Sequence, residues 1–320
     1  MAIEILNPGV MTTLQDVGRS GYRALGIPQS GAADRLSFAL ANHGVGNPWV
    51  AAALEINLGG LKVKALKPIQ MVLTGAPRFA ECNGQTIEQY KPFYMAEGDV
   101  LEISIGHIGA RSYLAVAGGF QGQMFKGSCA TYLPAAVGGL TGRALAAGDR
   151  IESGDFTATS PLPIPAAYRP LFAKNLVLRV QKGPEFDSHL CADAQRRLFT
   201  DVFIASPQTN RMGAVLSFAD MDRPPLTLSN KTPLTSSPLL PGTLQVTSNG
   251  TPILSGIDSH CTGGYVRALS VIPADHWMMG QIAPGTRVSF RRERTAASED
   301  TLRLRNHIYG QLIEGFHFDS

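Results

Sequence analysis

The sequence predicts a mainly β protein built from two domains. Its 34 glycines and 21 prolines divide short runs of β-branched and apolar residues at irregular intervals, as expected of strands joined by many turns. Between residues 151 and 169 the chain becomes rich in Ser, Thr, Pro and Ala and loses hydrophobic periodicity, which indicates a linker. We therefore predict one domain over residues 1–160, a second over 161–291 and a helical tail over 292–320.

Local patterns predict the individual elements. A helix is expected over Ala33–Asn42, starting near Asp34, and a short helix over Pro48–Glu55 after a Gly-Asn-Pro turn. The clearest predicted strands, which combine β-branched and apolar residues, are Ile69–Leu73, Val100–Ile105, Ser112–Val116, Leu176–Val180, Gly242–Val246, Ala268–Ile272 and Thr286–Phe290.

The tail segment Ser298–Phe316 predicts an amphipathic helix. Leu304, Ile308 and Leu312 recur at helical spacing after an acidic start. We expect this apolar stripe to dock on the chain's own second domain, and contact with another protein chain is the alternative.

Charge and composition restrict the partners. The formal net charge is +3, and no Lys/Arg run or basic-aromatic stripe suggests a nucleic-acid surface. The N-terminus lacks the pattern of a signal peptide, and no apolar run reaches membrane-spanning length, so we expect a cytoplasmic protein that does not enter a membrane. The cysteines and histidines are dispersed, with no spacing typical of a metal site, and we predict no bound metal.

Motifs of self-sufficient enzymes are missing from the sequence. There is no Gly-x-x-x-x-Gly-Lys-Ser/Thr phosphate loop and no Gly-x-Ser-x-Gly nucleophile turn. No lysine is flanked by two methionines, so we expect no covalently attached biotin. The sequence does not predict a hydrolase that acts alone.

An ordered series of short phrases runs through about residues 10–290. It includes Thr12-Thr13-Leu14-Gln15-Asp16, Gly26-Ile27-Pro28-Gln29-Ser30-Gly31, Tyr113-Leu114-Ala115-Val116-Ala117-Gly118-Gly119, Ser206-Pro207-Gln208-Thr209-Asn210-Arg211-Met212-Gly213, Pro241-Gly242-Thr243-Leu244-Gln245-Val246 and Thr262-Gly263-Gly264-Tyr265. With these phrases the chain resembles the allophanate hydrolase subunit 2 family, which is biotin-dependent carboxyltransferase-like and includes the C component of bacterial 5-oxoprolinases.

The resemblance implies two cyclophilin-like β-barrel domains in tandem, with short helices. It also implies a chain that is inactive alone and works on a small amide substrate with ATP and with B-like and A-like 5-oxoprolinase components. Two alternatives remain open. One is the carboxyltransferase component of a biotin-dependent urea or amide carboxylase, and the other is a regulatory module that sequesters a kinase-inhibitor-like B component.

The same resemblance, with the chemistry of amide activation, suggests site residues. Donors that hold developing phosphate or carboxylate charge are needed, and Arg and amide side chains suit that task. The expected catalytic residues are Arg211, Gln245 and Asp34, with Arg211 as the main anion clamp; the expected substrate-binding residues are Gln29, Arg35, Gln208, Asn210, His260 and Thr262. Simpler interpretations stay open: Asp34 as a helix cap, the Pro-Gln phrases as turns, and Gln245 as part of a buried network.

Three places in the sequence depart from the family's usual residues. Cys129 stands where an Arg is usual, His260 and Cys261 replace a Gln and a Thr, and Ser237 with Pro238 replaces an acidic residue or glycine. If these positions touch substrate, a different anion or amide is recognised.

Overall fold

The computed structural model describes residues 1–155, 162–230 and 232–318. The first half forms two antiparallel sheets, of six and five strands. The six-stranded sheet has the order β11-β1-β4-β9-β6-β7, with β1 Ile3–Pro8, β4 Leu61–Ala65, β6 Ala80–Cys82, β7 Gln85–Thr86, β9 Val100–Ile103 and β11 Arg150–Ile151. The five-stranded sheet has the order β2-β3-β10-β5-β8, with β2 Met11–Gln15, β3 Ala53–Asn57, β5 Ile69–Gly75, β8 Phe93–Met95 and β10 Arg111–Val116.

The two sheets share one hydrophobic core, because alternate side chains along each strand point to the same face. Ile3 and Val63 of the larger sheet and Leu54 and Leu114 of the smaller one lie in this core. The opposite face of the five-stranded sheet is covered by helix α1, Arg35–Gly44, through contacts such as the edge-on pair of Phe38 and Tyr113.

The second half contains a closed barrel. Its order is β12-β19-β16-β17-β14-β13-β20, and parallel pairing of β12 with β20 closes it. The strands are β12 Asn175–Lys182, β13 Phe203–Ala205, β14 Gly213–Phe218, β16 Thr243–Val246, β17 Pro252–Ser255, β19 Val266–Val271 and β20 Arg287–Arg292; a separate pair joins β15 Ser237–Pro238 to β18 Thr262–Gly263. The barrel has its own core, and this mainly β architecture confirms the predicted fold class.

The helices of the second half lie around the barrel. They are α2 Phe186–His189, α3 Ala192–Thr200, α4 His276–Met279 and α5 Thr295–Gly310, and short 3-10 turns occur at Arg23–Leu25, Leu133–Ala135, Ala166–Tyr168 and Pro273–Asp275. None of the described helices is both long enough and apolar enough to cross a membrane.

A third hydrophobic cluster joins the two halves. Leu36 and Phe38 of α1 pack there with Trp277 of the second half and with Phe316 and Phe318 of the tail. The junction is therefore a packed interface with its own buried core.

The structure confirms every predicted strand approximately and corrects two helices. Pro48–Glu55 is not helical: its end belongs to β3, because Leu54 and Ile56 alternate into the first core while β3 pairs with β2 and β10 on either side. The tail helix covers Thr295–Gly310 and stops before Phe316.

The predicted apolar stripe of the tail is only partly a docking face. Leu304 and Ile308 are 58% and 39% exposed, whereas Leu312 packs against the junction cluster. The last strand of the first half is β11, Arg150–Ile151. The predicted domain boundary between residues 160 and 161 falls outside the described residues, so it stays a prediction.

Candidate functional site between the two halves

A buried ion-pair network crosses the junction. Glu55 of β3 receives Nε of Arg111 at 3.1 Å and Nη1 of Arg211, from the second half, at 2.6 Å. Arg211 also contacts Asp258, with Nε to Oδ2 at 2.7 Å and Nη2 to Oδ1 at 3.0 Å. All four side chains are at most 5% exposed, so this network is shielded from solvent.

The network fixes the charge of its members. Burial alone would raise the pKa of Glu55, but the charges of Arg211 and Arg111 hold that pKa below its ordinary value. Burial would likewise lower the pKa of Arg211, but Asp258 and Glu55 raise it. Arg211 donates further to Gly31 O at 2.7 Å and Ser30 Oγ at 3.3 Å, so every guanidinium nitrogen of Arg211 already has a partner within the chain.

Asp34 and Gln281 form a second contact across the junction. Asp34 caps α1 by accepting from Ser37 N at 2.9 Å and Ser37 Oγ at 2.6 Å, and Gln281 Nε2 donates to Asp34 Oδ2 at 2.7 Å. Burial raises the pKa of Asp34 to about 6, although these hydrogen bonds oppose the rise. Asp34 is therefore both the predicted cap and a structural link between the halves.

A cavity of about 430 Å³ lies beside this network. The first half contributes Gln29, Ala32, Ala33, Arg35 and Arg111; the second contributes Gln181, Asn210, Arg211, Leu240, Pro241, Gly256, Ile257, Ser270, Val271, Pro273, His276, Trp277, Met279, Gly280 and Phe318. Of the predicted site residues, the cavity thus brings together Gln29, Arg35, Asn210 and Arg211. Its volume is in the range of small-molecule sites.

The lining is basic. Three arginines reach it, and no Asp or Glu does in the described part of the chain. Glu55 and Asp258 already neutralise Arg111 and Arg211, whereas Arg35 has no carboxylate partner among the described residues. Arg35 Nη2 donates to Val17 O at 3.0 Å, and burial lowers its pKa. The cavity therefore offers an unpaired cation to an anionic ligand.

The other predicted site residues lie elsewhere. Gln208, His260 and Thr262 are exposed, and none of them lines the cavity. Gln245 is buried in β16, where Nε2 donates to Ser255 Oγ at 3.3 Å and Oε1 has no partner in the described residues.

Sequence patterns missed Arg111, Gln281 and His276. Arg111 sits in an ordinary strand, Gln281 in an irregular loop, and His276 was one dispersed histidine among seven. The only local hint in the sequence is the run Asp275-His276-Trp277, in which an acidic residue, a histidine and an aromatic residue are adjacent. This run matches no motif of known function.

A family model for the carboxyltransferase domain, subdomain A and B, matches residues 25–292. The chain belongs to this carboxyltransferase family. Its relatives include the C component of the 5-oxoprolinase of Escherichia coli, which is 36% identical over 288 residues and covered to 90% in both chains. The urea amidolyase of Lachancea kluyveri is 30% identical in an alignment 309 residues long, which covers 90% of this chain and 17% of that protein.

Solved structures agree with the assignment to the carboxyltransferase family. The crystal structure of the Kluyveromyces lactis urea amidolyase superimposes with a TM-score of 0.90 at 26% identity, over 98% of this chain. The chain spans only 20% of that protein. The E. coli relative is named as one component of an enzyme, whereas the urea amidolyases are longer proteins of which this chain matches one part. Within the ranges that the structure covers, no group of three His, Cys, Asp or Glu side chains could hold a metal ion.

Proposed function

We propose that this chain is the C component of an ATP-dependent 5-oxoprolinase, which opens 5-oxoproline to glutamate together with B-like and A-like components in the cytoplasm. The observation that carries the proposal is the junction cavity. Among the described residues, no Asp or Glu lines this cavity, and Arg35 in its wall has no carboxylate partner. 5-Oxoproline is a small ring with one carboxylate and one lactam amide. Its carboxylate suits Arg35, and its ring suits the apolar wall of Leu240, Pro241 and Trp277.

The comparisons support this choice of substrate. Identity to the E. coli 5-oxoprolinase component is 36%, against 30% to the Lachancea urea amidolyase, and the alignment spans nine-tenths of both the chain and the E. coli protein. The residues at the three places that depart from the family pattern all lie outside the cavity; they are Cys129, Ser237, Pro238, His260 and Cys261. They therefore leave the proposed substrate pocket unchanged.

The roles in the cavity follow from the available hydrogen-bond donors. We assign the substrate carboxylate to Arg35, with Gln29 and Asn210 as nearby amides. Arg211 and Asp34 act indirectly, because their groups are already held by Asp258, Glu55, Ser37 and Gln281. Arg211 holds the cavity wall in place.

ATP, supplied within the complex, provides the phosphoryl group that activates the amide carbonyl. The donor set of the cavity suits a carboxylate or phosphate, but the sequence has no phosphate-loop motif, so we assign ATP to the complex as a whole. Gln208, His260 and Thr262 are exposed. They reach substrate only if a partner protein covers their surface. Gln245 is buried next to Gly263.

The test is glutamate release from 5-oxoproline and ATP by this chain mixed with its A-like and B-like partners. Omission of any one component should abolish release. A stable complex with the B-like partner but without turnover would overturn the assignment and favour the regulatory module.

One alternative has its own support. The TM-score of 0.90 to urea amidolyase fits a carboxyltransferase component that receives a carboxyl group from biotin on another chain. Carboxyl transfer to urea by a mixture with a biotin-loaded carrier, in the absence of turnover of 5-oxoproline, would establish this alternative.

A further inference from the structure

His276 is the one histidine among the described residues that lines the junction cavity. It is the first residue of α4, directly after the 3-10 turn Pro273–Asp275, and it shares the cavity wall with Arg35 of the first half. A titratable imidazole beside an anion-binding arginine is a chemically useful pairing, because one group can hold a substrate while the other moves a proton.

The hydrogen bonding of His276 fixes its tautomer. Nε2 lies 3.0 Å from the carbonyl oxygen of Val271. A carbonyl can only accept, so Nε2 carries the proton, and in the neutral ring Nδ1 is left with a free lone pair. Nδ1 makes no hydrogen bond to any residue in the described ranges, and this nitrogen is not fully buried. The ring therefore offers an open proton acceptor.

The packing around the ring holds this orientation. Gly242 has φ of +85°, and a Cβ there would come within 2.8 Å of His276 Nε2, so the absence of a side chain makes room for the imidazole. Gly242 lies at the tight turn that enters β16, and its N donates to Ser255 O at 2.9 Å. The ring is thus seated by a backbone turn on one side and by a backbone carbonyl on the other.

Burial favours the neutral form of the ring. Burial lowers the pKa of His276, and the positive charge of Arg35 lowers it further, against opposing effects of Val271 and Asp275. Asp275 itself is paired with Arg179 at 2.6 Å and lies 3.7 Å from Arg305. The remaining charged side chains of the described cavity wall are Arg111 and Arg211.

We propose that His276 is a proton-transfer residue of the amide-opening reaction in the junction cavity. This inference rests on the function proposed above. As water attacks the phosphorylated amide carbon, its oxygen forms the new C–O bond and one of its two protons passes to Nδ1. When the ring C–N bond breaks, the imidazolium returns that proton to the departing nitrogen, the remaining hydroxyl proton passes to solvent, and an acyl phosphate is left. A second water cleaves the acyl phosphate to the carboxylate of glutamate and inorganic phosphate, so His276 ends the cycle neutral.

The decisive variant is His276→Gln in the complex with the A-like and B-like partners. A Gln amide can keep the hydrogen bond to Val271 O but cannot act as a base. We expect kcat for glutamate release to fall by about 100-fold or more, with a smaller change in KM, since proton transfer by a positioned base contributes about 10²–10⁴-fold. The wild-type complex should lose kcat as the pH falls through the lowered His276 pKa, and the variant should lack this acidic limb.

His107→Gln is the matched control, because His107 is an exposed loop residue outside the cavity. If wild type turns over and H276Q matches H107Q, only the role of His276 fails. If the wild-type complex releases no glutamate, both the proposed function and the proposed role of His276 are wrong.

An independent check uses the isolated chain. Ring ¹⁵N chemical shifts at pH 7 should show His276 protonated at Nε2 and bare at Nδ1. A ring protonated at Nδ1 at that pH would overturn the proposal, whatever the kinetic result.

Discussion

Glu55 and Arg211, which are 156 positions apart in the chain, form a buried ion pair with Nη1 and Oε1 separated by 2.6 Å. Glu55 lies in the five-stranded sheet of the first half, and Arg211 lies shortly before strand β14 of the barrel. The two side chains are 2% and 4% exposed, and Arg211 also lines the junction cavity. The same ion pair therefore joins the halves and fixes part of the proposed substrate pocket.

Glu55→Gln should destabilise the chain strongly. It leaves Arg111 and Arg211 buried beside a neutral amide, and removal of one partner from a buried pair costs about 3–5 kcal/mol in the free energy of unfolding. Urea unfolding followed by circular dichroism measures the change. Asp300→Asn, which breaks the exposed pair with Arg303, is the control and should unfold like wild type. Equal stability of E55Q and D300N would contradict the structural role of the network.

Arg35→Gln should weaken substrate binding without harming the fold. Arg35 has no carboxylate partner among the described residues, so its loss leaves no buried charge unpaired. A hydrogen bond to a charged group contributes about 1.5–3 kcal/mol, so KM for 5-oxoproline should rise by about 10- to 100-fold.

The control for this variant is Arg303→Gln on the exposed face of α5. Both variants should share the melting temperature of wild type. An unchanged KM in R35Q would remove Arg35 from the proposed site.

Asp34→Asn should alter the pH dependence of stability. The folded pKa of about 6 lies above the ordinary value of 3.8, so the contribution of Asp34 is full below pH 4 and is lost as the pH rises through about 6. Between pH 4 and 6 the wild type should lose about 2 kcal/mol of unfolding free energy relative to D34N. Urea titrations across this range provide the measurement, and parallel curves for the two proteins would show that Asp34 stays ionised.

Gly242→Ala should damage both stability and turnover. The two Pro-Gly-Thr turns of the second half provide a matched comparison, since Gly242 and Gly285 have φ of +85° and +83°. A Cβ at Gly285 meets nothing within 4 Å, whereas at Gly242 it meets the His276 ring.

G285A should therefore show only the backbone cost of about 1–2 kcal/mol. G242A should lose more, and its kcat should fall with the displaced imidazole. Equal effects of the two variants on melting temperature and kcat would rule out the positioning role of Gly242.

Local patterns predicted much of the fold correctly. Alternating apolar residues located the strands, and Asp34 before an apolar run located the start of α1, because both signals depend on neighbours within a few residues. The helix predicted over Pro48–Glu55 was wrong. The pairing of β3 with two distant strands outweighs the local preference for a helix.

The sequence by itself determined the family, the mainly β class and four of the residues that meet in the cavity: Gln29, Arg35, Asn210 and Arg211. Only the tertiary structure decided their roles. It paired Arg211 with Glu55 and Asp258, left Arg35 without a carboxylate partner among the described residues and placed His276 on the same cavity wall. The physical reason is that the charge and accessibility of a side chain depend on which distant groups are packed around it. The spacing of residues along the chain does not show which groups these are.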